Sequence, residues 1–355
     1  RRAAVEALPA VAAASHAGAV EVLCGRLEDA DDSVRFAAVE SLGKICAQSG
    51  SGTPLPPGLT GRLQHESASV REAALRALIE VAGRGDAKAV GAASTLARAD
   101  ADALVRQGAA KALAQLAEQG DPVALAALSA CLQDAAECVR WEAVLALGSL
   151  APKGEESIVA ALIARLRDES SGIRWVAVKA LGAIAKSGDS RAVSAVTARL
   201  EDGDELVRSE AVRALAKLAV AGDASTVSAA IARLLDGDGH VREAAVAALA
   251  ELTAPGDVQA AAYVRGRLDD DDVAVRRAAV RSLARLAPRA GARTIAVLAE
   301  RLEDKDVFVR RLAVEALAAV AERGDPRAIS AVSSRLAHAE RGVRQVAMQA
   351  LTKLS

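Results

Sequence analysis

Residues 199–219, RLEDGDELVRSEAVRALAKLA, decide how this chain folds. Upstream, SRAVSAVTARLE places Val193, Val196 and Leu200 on one helical stripe, and ELVRSEAVRALAKLA does the same with Val207, Ala211, Leu215 and Leu218. Between the two stripes lies Asp202-Gly203-Asp204. Gly203 is expected to take a left-handed turn that ends one helix, and Asp204 to accept the free amides that start the next. One such hairpin cannot bury both of its stripes alone, so neighbours of the same kind are required.

They are present. A Val/Ile-Arg pair recurs with its apolar member at positions 34, 70, 105, 139, 173, 207, 241, 275, 309 and 343, spacings of 36, 35 and then seven times 34 residues. Counting back 34 from Arg35 lands on Arg1, a further copy of the anchor. Successive hairpins are joined by Gly-Asp pairs at Gly85-Asp86, Gly120-Asp121, Gly188-Asp189, Gly222-Asp223, Gly256-Asp257 and Gly324-Asp325. Periods of this length mark arrays of helical hairpins. The reading is all-α: an α-solenoid of about ten hairpins with a 34-residue period, one array over residues 1–355. The segment SGSGTPLPPG, residues 49–58, replaces the start of one first helix with residues that cannot continue it, and a loop is expected there. Neither end resembles a natural boundary, so a longer parent chain is expected.

Composition agrees. Of 355 residues 52% are hydrophobic but only 1% aromatic, so the apolar volume comes from Ala, Leu and Val, side chains that suit closely packed helices. A formal net charge of −1 argues against generic nucleic-acid or anionic-membrane binding. No run of apolar residues approaches the roughly 20 needed for a membrane span, and a soluble protein is expected. Cys24, Cys46, Cys131 and Cys138 lack CxxC spacing and read as reduced, small apolar residues, which favours a reducing compartment.

The pattern RLxDxDxxVRxxAVxALxxLA, as residues 199–219 carry it, resembles a HEAT repeat, closest to the HEAT-like subgroup first associated with phycobilisome lyases, and it covers essentially the whole chain. The resemblance implies a right-handed superhelix whose second helices line an inner, concave wall. It also implies a hydrogen-bonded Asp–Arg ladder from repeat to repeat, mapping Asp202, Asp236, Asp270 and Asp304 against Arg208, Arg242, Arg276 and Arg310. An Arg one residue after the anchor sits at the edge of the buried stripe, where an unpaired charge is costly, so a carboxylate partner is expected on physical grounds too. Tetratricopeptide repeats share the period but need bulky aromatics that this chain lacks.

Catalytic chemistry is sparse. HEAT-like deoxyhypusine hydroxylases use repeated His-Glu pairs for a di-iron site, whereas this chain has one, His65-Glu66, in a turn. There is no GxxxxGK[ST] loop, no HExxH helix, and Cys131 with Cys138 lacks the two further ligands a zinc site needs. The run Asp269-Asp270-Asp271-Asp272 lacks the glycine and distal Glu of a calcium loop and reads as helix capping. No catalytic residue, metal or cofactor is expected.

Helical phase then selects a surface. With the anchor at 0°, positions two and six residues later point about 140° and 180° away, opposite the core stripe near 60°. The position two after the anchor holds Phe36, Trp141, Trp175, Arg277 and Arg311 among its ten residues, and so both of the chain's Trp. Aromatics at exposed positions are enriched in interface hot spots; the competing view has each indole lying flat over small neighbours such as Gly148 and Ala183. Arg277, Arg281 and Arg285, close to Arg311, form a basic strip suited to an acidic partner segment. The expected function is a non-enzymatic protein-binding scaffold or accessory subunit of a larger assembly. A bilin-lyase-like or metal-dependent activity is the alternative that the subgroup suggests, and nucleic-acid binding through the Arg277 strip is a third.

Overall fold

A computed structural model describes residues 1–11, 16–48, 55–288 and 291–355, and among them there is no strand. The chain divides into two compact units, Arg1–Ile184 and Ala185–Ser355. The expected Pro/Gly interruption at residues 49–58 lies mostly outside the described residues; from Pro57 a short first helix, Pro57–Arg62, resumes the pattern.

In the first unit a helix Arg2–Val11 precedes five hairpins, whose second helices are Asp32–Gln48, Ala68–Val81, Ala103–Leu116, Glu137–Leu150 and Ser171–Ile184. The second unit also has five, with second helices Glu205–Leu218, Gly239–Leu252, Val273–Leu286, Val307–Val320 and Arg341–Leu354. Each unit is thus a stretch of α-solenoid in which second helices pack on second helices. All ten Val/Ile anchors are buried, among Leu and Ala from both helices of their hairpin. The small side chains let helices approach closely: a Cβ on Gly148 would lie 3.2 Å from the Cβ of Ala180 in the next second helix.

The helix starts follow the aspartates. Asp86, Asp121, Asp189 and Asp257 each accept two backbone amides at the start of a first helix, and Asp102, Asp204, Asp238 and Asp306 do so for second helices. The left-handed turn falls elsewhere than expected. Gly203 does not have a positive φ, while Gly85, Gly120, Gly154, Gly188, Gly222, Gly256 and Gly324, all between hairpins, do. There the glycine amide donates to the last carbonyl of the following second helix, as from Gly120 to Leu150 (2.8 Å) and Gly222 to Leu252 (2.7 Å). The intra-hairpin turn needs no such residue, because its aspartates hold extended backbone.

The Asp–Arg ladder runs one repeat out of the expected register. Arg208 gives its Nε and one terminal nitrogen to the Asp236 carboxylate of the next repeat (3.0 and 2.9 Å), and to Asp202 it donates only at the backbone carbonyl (2.9 Å). Arg242 grips Asp270 and Arg276 grips Asp304 in the same bidentate way. In the first unit Arg71 grips Asp100, Arg106 grips Asp134 and Arg140 grips Asp168, while Arg1 reaches Asp29 at 2.9 Å. The aspartates at 100, 134, 168, 236, 270 and 304 each also accept the amide two residues on, so a single carboxylate closes its own turn and holds the preceding repeat. The Arg106 bonds hold Asp134 below the usual carboxylate range against its burial. At Asp100, Asp236 and Asp270 burial pushes the other way, and the arginine and amide bonds outweigh it.

Two rungs lack their aspartate. His338 stands where Arg310 would find one, and His65 does so for Arg35; each uses Nδ1 to accept the amide two residues on, as the aspartates do. Arg310 keeps its bond to the Asp304 carbonyl (2.8 Å), but for a carboxylate it has only Glu340 at 3.5 Å, and its buried Nε has no partner. A second row, which the periodicity did not assign, comes from the Arg ahead of a recurrent Leu. Arg165, Arg233, Arg267 and Arg301 donate to the carbonyls of Leu132, Leu200, Leu234 and Leu268 in the preceding repeat.

Asp304→Ala leaves the buried Arg276 without its carboxylate and lowers stability by about 3–5 kcal/mol, whereas His338→Asp offers Arg310 the missing rung and raises it by about 1 kcal/mol; urea unfolding of the two variants measures both signs. Glycine substitutions separate the two turns. Gly120→Ala, at φ +82° with Pro152 at 3.3 Å, costs about 1–2 kcal/mol, while Gly203→Ala, with open space around it, is neutral or stabilising by up to about 1 kcal/mol.

Candidate protein-binding surface

The position two after the anchor is less exposed than a lone helix would make it, because the next repeat's second helix flanks it. Phe36 and Arg311 are exposed, but Trp141, Trp175 and Arg277 are half-buried and Ser209 is buried. What this position meets is the residue just before the next anchor. A Cβ on Gly172 would lie 3.2 Å from the Trp141 ring, and Arg277 lies over the Phe308 ring at 4.7 Å from its centroid. Gly172, rather than Gly148, therefore gives the first indole its room.

Trp141 and Trp175 stack, with centroids 5.9 Å apart and planes 17° from parallel, and the Lys179 ammonium sits 5.1 Å from the Trp175 ring centroid. Such a pair contributes about 0.5–1.5 kcal/mol beyond the area it buries. Trp141 shares its helix with Leu145, 39% exposed, and with the half-buried Glu142, whose carboxyl is raised by burial and drawn down by the charge of Lys111.

Lys111 also lines a groove of about 750 Å³ across the three preceding second helices, with Phe36, Leu75, Ile79 and Leu104 as apolar lining and Glu40, Lys44, Glu72, Arg76 and Glu80 as charged lining. Leu104, 61% exposed just before its anchor, was not singled out by helical phase, and neither was Phe308 at the same place in its repeat. The signal for both was the same column of the repeat, one residue ahead of the anchor.

The basic strip of the second unit is smaller than its sequence suggests. Arg277 is bound bidentately to Asp306 (3.0 and 2.8 Å), leaving Arg281, Arg285 and Arg311 as its exposed members. The aspartate sits 29 residues downstream, out of reach of any single-helix reading. Cys24 and Cys131 are buried, which pushes both thiols up to about 11. Among the described residues no three His, Cys, Asp or Glu gather to hold a metal, and no helix is long and apolar enough to cross a membrane.

Stacked indoles couple as excitons, so a band from the pair is expected in the far-ultraviolet circular dichroism, and either Trp141→Phe or Trp175→Phe removes that band without loss of helix signal.

No curated protein matches the sequence. Among solved structures the chain is similar to an engineered protein, at 21% identity and TM-score 0.54 over 99% of this chain and 98% of that one. It is similar to a chain in the structure of Kap95p with RanGDP, at 15% identity and TM-score 0.68 over 95% of this chain and 50% of that one, so it spans half that relative's length. It is also similar to the Escherichia coli protein YibA, at 18% identity and TM-score 0.53 over 74% of this chain and 92% of YibA. Identities this low show a shared fold. The family described as HEAT repeats matches residues 1–78, 55–148, 129–216, 193–284 and 267–352, windows that overlap along nearly the whole sequence, and the chain belongs to the HEAT-repeat family.

Proposed function

We propose that the protein is a non-enzymatic scaffold or accessory subunit that binds other proteins through the second-helix face of residues 32–184. The observation that carries this is the stacked Trp141–Trp175 pair. In a chain with 1% aromatic residues, both tryptophans lie together and half-exposed on one face, one helix away from a groove with Phe36 and Leu104 in its walls. Large aromatic side chains supply most of their binding energy where a partner completes their burial. A groove of about 750 Å³ between helix faces accepts several side chains of a partner segment. The fold is also that of a chain from the complex in which Kap95p binds RanGDP, itself a protein.

A photo-crosslinking side chain placed at Leu145 is expected to capture the same partner as one placed at Leu104, while one at the exposed Val123 of a first helix captures none. Trp141→Ala with Trp175→Ala abolishes capture at Leu145. Equal capture from Val123, or capture indifferent to the tryptophans, rejects the reading.

A further inference from the structure

The charges around the aromatic pair say what kind of segment it receives. The five second helices of the first unit are not alike. Asp32–Gln48 and Ala68–Val81 present carboxylates and cations together, with Glu72 already paired to Arg76. Ala103–Leu116 and Ser171–Ile184 contain no Asp or Glu at all, and Glu137–Leu150 contains two. One of those, Glu137, accepts a hydrogen bond from Ser170 at the helix start; the other is the half-buried Glu142. Of the cations on the same three helices, Arg174 donates to the carbonyls of Asp168 and Glu169. Arg106 and Arg140 are committed to Asp134 and Asp168 in the ladder. Lys111 and Lys179 are exposed and enter no ion pair among the described residues. They belong to the helices on either side of the one that carries Trp141 and Leu145, and Lys179 rests on the outer indole. An aromatic surface flanked by two exposed ammonium groups that enter no ion pair among the described residues, with Glu142 beside it half-buried, is complementary to carboxylates on either side of an apolar anchor.

We propose that the Trp141–Trp175 platform receives a protein segment with apolar side chains flanked by acidic residues, Lys111 and Lys179 pairing with the acids. This rests on the reading that the face binds protein. It adds a sign: segments with basic flanks are rejected by the same two lysines.

Two synthetic peptides with one shared Leu- and Phe-containing centre, flanked by Glu in one and Lys in the other, test this by fluorescence anisotropy against the full chain. The Glu-flanked peptide is expected to bind about tenfold tighter at low salt, the scale that two partly exposed ion pairs support, with the gap closing as salt is added. Lys111→Glu with Lys179→Glu reverses the order of the two peptides. Both lysines are exposed, so this variant is expected to keep its helix content, and circular dichroism checks it. Equal affinities, a preference for Lys flanks, or no reversal in the variant overturns the proposal. If the peptides bind without charge preference but Trp141→Ala with Trp175→Ala weakens them, the acidic-partner inference falls and the scaffold reading stands. If neither peptide binds, or binding ignores the tryptophans, both fall at this site.

Discussion

The bidentate bond from an arginine to the aspartate of the next repeat is the constraint from which the rest of the architecture follows. The arginine is fixed by sequence to the buried anchor before it, so its guanidinium enters a crowded seam between second helices, where a charge without a partner is costly. The aspartate is fixed to a turn, where it must also accept an amide. One carboxylate meeting both demands sets the stagger of neighbouring repeats as firmly as their packing does. At Arg276 and Asp304 both side chains are only 4% exposed. A second tie, from the amide of each left-handed glycine to the last carbonyl of the following second helix, acts at the other end of the hairpin. Between them these two bonds fix both ends of every second helix they reach, so a core of Ala, Leu and Val can dispense with large aromatic side chains.

Much of this is legible in the sequence because it is periodic. The Val/Ile-Arg anchors, the ten hairpins and the need of each arginine for a carboxylate follow from spacing and burial alone. What escapes depends on relations between repeats. Asp202 and Asp236 stand in equivalent places, and nothing in the spacing tells Arg208 which of the two to grip; the packing of second helix on second helix decides for the one 28 residues on. A turn with Gly between two aspartates invites a left-handed Gly203, yet aspartates on either side hold that turn in extended conformations. Gly154, which lacks the Gly-Asp pairing, has the positive φ instead.

The same distinction governs the surface. A helical wheel treats each second helix as isolated and predicts that the position two after the anchor is solvent-facing. In the stack that position meets the residue before the next anchor, so its exposure is set by a pair of residues about 31 apart, one repeat less three. A glycine at 172 leaves Trp141 room to lie in the seam and reach Trp175; a phenylalanine at 308 puts a ring against Arg277, and Asp306 beside it takes the charge. Together the two columns turn an apparent row of free arginines into one pinned side chain and its exposed neighbours.

Binding surfaces in such a fold arise where the seam is filled incompletely. Ala and Leu at the seam positions close it and leave a chemically mild face, which is the condition of most second helices here. Indoles are too large for the seam to swallow, so Trp141 and Trp175 remain half-exposed although they cover one another. The stack also orients them, since a ring held at 17° to its neighbour has few ways left to turn and loses little freedom when a partner covers it. A rigid apolar surface gives affinity but little selectivity, because any apolar segment can cover it. On the proposed reading, the two exposed lysines on the adjoining helices, which the ladder does not use, are the groups that would tell one such segment from another.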